Sequence, residues 1–164
     1  MLNLYDSASQ TLGAADVTVT GATHGAVRGS LVVSADRRQI TFVQTGGLLE
    51  PDTYTVTLFS GATRFRDTNG GLLDGNADNT AGGDYQTTFT VAARPAGTVT
   101  ISLPDFARGA GQGVNIPNTA NGLPIRLSDA VGVTSLAVDL VYDPALLQIT
   151  AATLAVGLPA DWSV

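Results

Sequence analysis

Asp67, Asn69, Asp74, Asn76, Asp78, Asn79 and Asp84 crowd into RFRDTNGGLLDGNADNTAGGDY, residues 64–85, with glycines between them. Carboxylates and amides at this spacing offer what a hard cation takes. Calcium binds about six to eight oxygens at about 2.3–2.6 Å, and glycine lets the backbone turn sharply enough to add carbonyls. In water, Asp67, Asp74, Asp78 and Asp84 held close together repel one another; a bound divalent ion reverses that repulsion and fixes the loop. The expectation is a calcium-binding loop with ligands drawn from Asp67, Asn69, Asp74, Asn76, Asp78 and Asp84. A second account needs no ion. Asp and Asn favour turns because their side chains bond their own backbone, and Arg64 and Arg66 stand ready to neutralise part of the charge. In either account Leu72 and Leu73 anchor the loop on the body of the domain.

Other chemistry is poorly supplied. The spacing of Asp67, Asn69 and Asp78 matches an EF-hand only in part: Leu72 stands where that loop needs glycine, and Asp78 replaces its bidentate glutamate, so an EF-hand is excluded. Nucleophilic catalysis of the Ser-His-Asp kind needs a histidine beside the nucleophile. The single histidine, His24, lies in TGATHGAV and reads as a turn residue. Glu50 is the one glutamate, and no two aspartates stand out as a glycosidase pair. The glycines of GAGQG (109–113) lack the lysine and following helix of a phosphate-binding loop, so they read as a flexible connection. Trp162 offers a sugar-stacking face but reads as a core residue near the chain end. The chain is expected not to be an enzyme.

The charge balance narrows the partners. The chain has 164 residues, no lysine, no cysteine and a net charge of −6. Nucleic acid and anionic membranes require clustered cations, so neither is expected as a partner. No apolar run is long enough to span a bilayer. Without cysteine there is neither a disulfide nor a zinc–thiolate centre; this fits a reduced compartment or a bacterial secreted protein stabilised by other means. MLNLYDSASQ lacks the basic start and apolar run of a signal peptide. If the parent protein is secreted, the chain is therefore expected to be an internal segment, and Met1 need not be its natural start.

The elements that must carry these residues read as strands. Surfaces of Thr, Ser, Asp, Asn and Gln suit strands and turns rather than helices. Alternation with period two, the mark of a half-buried strand, recurs at DVTVTG (16–21), TYTVTLF (53–59) and DYQTTFTVA (84–92). GSLVVSADRRQITFVQ (29–44) reads as a hairpin turning at residues 35–38. The strands ending near Phe59 and starting near Tyr85 should be neighbours, although about 25 residues join them against the usual ~2–5 of a hairpin loop. Pro95 and Gly97 punctuate AARPAGTVTIS, which places a domain boundary near residues 92–97. Beyond it, strands are expected at 98–103, around 114–117, in LPIRLSD, along 133–142 and in QITAATL, with DPALL as a turn. The expected class is all-β, with two consecutive β-sandwich modules and no amphipathic helix.

Two stretches resemble known families. LLEPDTYTVTLF, with Leu49, Pro51 and Tyr54, resembles a motif of bacterial Ig-like and fibronectin-like sandwiches. The resemblance implies a tyrosine corner, a ring packed at the sandwich edge with its hydroxyl bonded to nearby backbone. RDTNGGLLDG to GGDYQTTFTV resembles the last hairpin of bacterial Ig-like modules of surface proteins. Together they imply an Ig-like module over residues 1–93, without the strand that normally precedes LYD. LAVDLVYDPALLQIT, with Tyr142, Asp143, Pro144 and Leu147, resembles the signature of cohesin domains. The resemblance covers residues 98–164 and implies the N-terminal half of a cohesin-like jelly roll. An open half-sandwich exposes strand edges, so either the remaining strands lie outside this chain or another copy supplies them by self-association. Cohesins bind dockerin modules. The resemblance places the partner-binding face at Ser135, Ala137, Asp139 and Val141, although Ala137 departs from the polar residues common there. It implies a protein-interaction segment of a large secreted or cell-surface bacterial protein, with carbohydrate binding as the alternative.

Overall fold

The computed structural model describes residues 14–36, 38–114, 122–156, 158 and 163. The protein is all-β: its described residues form eight strands and no helix. In chain order these are β1 (Val17–Gly21), β2 (Gly25–Val27), β3 (Gly29–Val33), β4 (Ile40–Gln44), β5 (Asp52–Leu58), β6 (Tyr85–Val91), β7 (Ile101–Ser102) and β8 (Arg126–Leu127). They pair into three antiparallel sheets, one ordered β2-β1-β5-β6, one of β3 with β4, and one of β7 with β8. Among the described residues no helix is long and apolar enough to cross a membrane.

The four-stranded sheet follows from the alternation that predicts it. β5 pairs with β1 from Val17↔Leu58 to Gly21↔Tyr54, and with β6 from Asp52↔Val91 to Leu58↔Tyr85. Because successive side chains point to opposite faces, this register lines up Val17, Val19, Tyr54, Val56, Leu58, Tyr85 and Phe89 on one face. The other face carries Thr18, Thr20, Thr53, Thr55, Thr57, Gln86, Thr88 and Thr90. Among the described residues, Val17, Val19 and Tyr54 form the buried hydrophobic core. The Tyr54 and Phe89 rings stack with centroids 5.3 Å apart. Gly21 makes room for Tyr54: a methyl group there would press on the Tyr54 ring and on Asp52 Oδ2.

The expected hairpin at 29–44 is present as β3 and β4, in register from Gly29↔Gln44 to Val33↔Ile40. Its turn is held by Asp36 Oδ1, which accepts from Ser34 Oγ at 2.6 Å and from the Arg38 N–H at 3.1 Å. β2 is an addition: no strand is expected at GAV from the sequence. Three residues carry too little alternation to mark a strand, and β2 owes its place to β1 beside it.

The chain divides into two compact units, Met1–Ala130 and Val131–Val164. The expected boundary at 92–97 falls inside the first. There Gly46 and Asp105 form an isolated bridge, each N–H donating to the other's carbonyl, at 3.3 and 3.1 Å. The strands expected beyond residue 97 are corrected in extent. The stretch 98–103 narrows to β7, and LPIRLSD to β8; the strand around 114–117 lies mostly outside the described residues. Along 133–142 and 148–154 no ladder forms among the described residues. Alternation sets which side chains share a face, but a strand also needs a neighbour to take its backbone bonds. The DPALL turn is as expected: the Leu146 and Leu147 N–H groups both donate to the Asp143 carbonyl at 3.0 Å, and the Ala145 N–H to Asp143 Oδ1 at 2.8 Å.

Candidate functional site

The acidic stretch connects β5 to β6, as the expected neighbourhood of Phe59 and Tyr85 requires. It leaves the sheet through a parallel bridge between Ser60 and Phe65 and an antiparallel one between Arg66 and Leu72. Leu73 anchors it: the residue is half-buried, and its carbonyl accepts from Ser60 Oγ at 2.8 Å. Leu72 is the more exposed of the expected pair, at 37%. Gly75 folds against the far end of the loop, its N–H donating to the Gly83 carbonyl at 3.1 Å.

Each expected ligand has a place in this loop. Asp67 Oδ1 accepts from the N–H groups of Asn69 at 2.8 Å and Gly71 at 2.7 Å. Asp74 spends both oxygens on backbone, Oδ1 on Asp78 at 3.2 Å and Oδ2 on Asn79 at 3.0 Å. Asp78 takes the Thr80 N–H on Oδ1 at 2.8 Å and the Asn76 amide on Oδ2 at 2.9 Å. These two bonds, the Thr80 N–H first, hold its carboxyl below the ordinary range. Asp84 Oδ1 accepts the Ser60 N–H at 2.9 Å, closing the base of the loop. The carboxylates are thus spread along successive turns. Among the described residues no group of three or more acidic or histidine side chains is arranged to hold a metal ion. Among the described residues Arg64 makes its ion pair outside the loop. It lies over the Phe59 ring at 4.7 Å and reaches Asp16 at 3.9 Å.

The expected partner-binding residues, Ser135, Ala137, Asp139 and Val141, are all exposed, in a segment without ladder bonds among the described residues. The alternation still shows in their coverage. Val141 is 94% exposed, whereas Leu136, Val138, Leu140 and Tyr142 on the other side lie between 37% and 42%. Trp162 lies outside the described residues.

One constellation has no counterpart in the sequence reading. Asp52 Oδ2 accepts from the N–H groups of Thr23 at 2.9 Å and His24 at 3.0 Å, and lies 3.1 Å from His24 Nδ1. Asp52 Oδ1 takes the Thr53 N–H at 2.8 Å. Burial pushes this carboxyl up, but the N–H groups of Thr23, His24 and Thr53 and the His24 ring outweigh it and hold it well below the carboxylate range. The same imidazole nitrogen lies 3.1 Å from Thr23 Oγ1. Both neighbours share Nδ1, so the ring does not relay a proton from hydroxyl to carboxylate as a catalytic triad does. The group fastens the β1–β2 turn to the head of β5. Partners 28 residues apart leave no local spacing for a sequence reading to find.

Two residues on, Tyr54 makes a side-chain bond of its own. Tyr54, 1% exposed, donates its hydroxyl to the Glu50 carbonyl at 2.9 Å. Comparison with protein families, curated proteins and solved structures finds no match.

Proposed function

We propose that the chain is a non-catalytic structural and protein-interaction segment of a large secreted or cell-surface bacterial protein. In this reading an Ig-like spacer over residues 1–93 precedes a cohesin-like module over 98–164 that holds a dockerin-like partner. The observation that carries the spacer half is the Tyr54 hydroxyl on the Glu50 carbonyl, in a sheet whose other face is almost wholly threonine. Support for the holding half is the exposed row Ser135, Ala137, Asp139 and Val141. The test is a pull-down with dockerin-bearing proteins against a polysaccharide-binding assay, using wild type and Asp139→Ala. Capture of the protein partner, weakened by the substitution, supports the reading; polysaccharide binding alone overturns it.

Carbohydrate binding is the second reading. It is favoured by Tyr85 and Phe89, which share a face of β6 and stand 44% and 40% exposed. Aromatic faces stack on sugars, and Tyr85→Ala would then abolish polysaccharide retention while leaving protein capture intact. Self-association through unpaired strand edges is a further part of the first reading, read out as mass in solution against concentration.

Calcium belongs to the first reading as a stabiliser of the 67–84 loop. An ion bound by the native state alone raises the melting temperature by mass action. The expected result is a rise of several degrees on adding calcium, reversed by chelator and lost in Asp74→Asn. An unchanged melting curve leaves the backbone bonds of the carboxylates as the whole account of the loop.

A further inference from the structure

We infer that Asn69 is a site of spontaneous chemical modification, at which the Gly70 backbone nitrogen converts the side-chain amide into a carboxylate. Asn69 is exposed, and its side-chain amide has no hydrogen-bond partner among the described residues. Gly70 has a φ of 89°, with open space where a Cβ would stand. Its N–H donates to the Asp67 carbonyl at 3.2 Å, the long end of the N–H···O range, so the nitrogen is weakly held. A residue with a side chain after asparagine shields its own nitrogen; glycine does not.

The reaction balances with water alone. The Gly70 nitrogen loses its proton to hydroxide and attacks Asn69 Cγ. A C–N bond forms, the Cγ–Nδ2 bond breaks, and ammonia leaves, closing a five-membered imide. Water then opens the ring at either carbonyl. One opening leaves an ordinary aspartyl link; the other carries the main chain through the former side chain and lengthens it by one carbon. Nothing is oxidised or reduced. Either product sets a new negative charge beside Asp67, and the lengthened one separates the Asn69 and Gly71 N–H groups that Asp67 Oδ1 holds together.

The two other asparagines of the loop are controls in the same molecule. Asn76 ties its amide to Asp78 Oδ2 and is followed by Ala77. Asn79 is followed by Thr80, whose N–H is bonded to Asp78 Oδ1 at 2.8 Å. Asn121 also precedes a glycine but lies outside the described residues, and peptide mapping separates it from Asn69.

The experiment is incubation of the folded full chain in mildly alkaline buffer, with a parallel sample in denaturant, followed by peptide mapping by mass spectrometry. The expected result is conversion of Asn69 in the folded chain, with Asn76 and Asn79 unchanged, and loss of that modified peptide in Asn69→Gln. Persistence of the Asn69 amide in the folded chain, whether or not it reacts in denaturant, overturns the inference. Conversion of Asn76 or Asn79 as fast as Asn69 also overturns it.

Discussion

Asp52 and Tyr54 stand two residues apart on one face of β5 and do different work. Tyr54 brings a buried ring to Phe89 and a hydroxyl to the Glu50 carbonyl. Burial first, then the charges of Asp52 and Glu50, push its phenol above the usual value, so the hydroxyl keeps its proton and goes on donating. Tyr54→Phe keeps the ring and strands a carbonyl; it is expected to cost about 1 kcal/mol of stability, read from denaturant unfolding. Asp52 makes stability depend on pH. Its folded carboxyl lies well below the unfolded value, so it contributes stability that is fully present above the ordinary carboxylate range and is lost as pH falls through and below it. Asp36, held low by Ser34 and then by the Arg38 N–H, and Asp78 act in the same direction. The melting temperature is therefore expected to fall below about pH 4. Asp52→Asn should melt lower than wild type at neutral pH, with the gap closing in acid.

Among the elements, the β5–β6 connection is tightly closed at Gly75. A methyl group at Gly75 would strike the backbone of Asp84 and Tyr85, which no side-chain rotation relieves. Gly75→Ala is expected to destabilise the protein by about 1–3 kcal/mol, as overpacking does, measured by denaturant unfolding. The effect should include loss of the amide protection that Gly75 owes to the Gly83 carbonyl. The acidic composition of this loop was legible in the sequence, and so was its habit of bonding its own backbone. Which carboxylate would take which N–H was not, because Asp84 closes on Ser60, 24 residues away. β1, β3, β4, β5 and β6 were legible for a simpler reason. Each is at least five residues long; β1, β5 and β6 alternate with period two, and β3 and β4 are short runs on either side of a turn at residues 35–38.

Across the whole molecule the two units differ in what fastens them. All eight strands lie in Met1–Ala130, while Val131–Val164 has turn bonds at Asp143 and no strand among the described residues. Local opening is easiest where backbone bonds are fewest. Brief digestion with thermolysin is expected to cut first near Val141, Leu146 and Val156, exposed at 94%, 86% and 98%. Fragment masses check this; first cuts within β5 or β6 would contradict it. The sequence by itself determined the all-β class, the long strands with their faces and the acidic loop, because each depends on period or on neighbours close along the chain. Only the tertiary structure decided the Asp52 clasp on Thr23 and His24, the bridge from Gly46 to Asp105, and the absence of a ladder along 133–142 among the described residues. Those depend on whether a distant backbone arrives within hydrogen-bond reach, and a pattern of side chains specifies a face without specifying its partner.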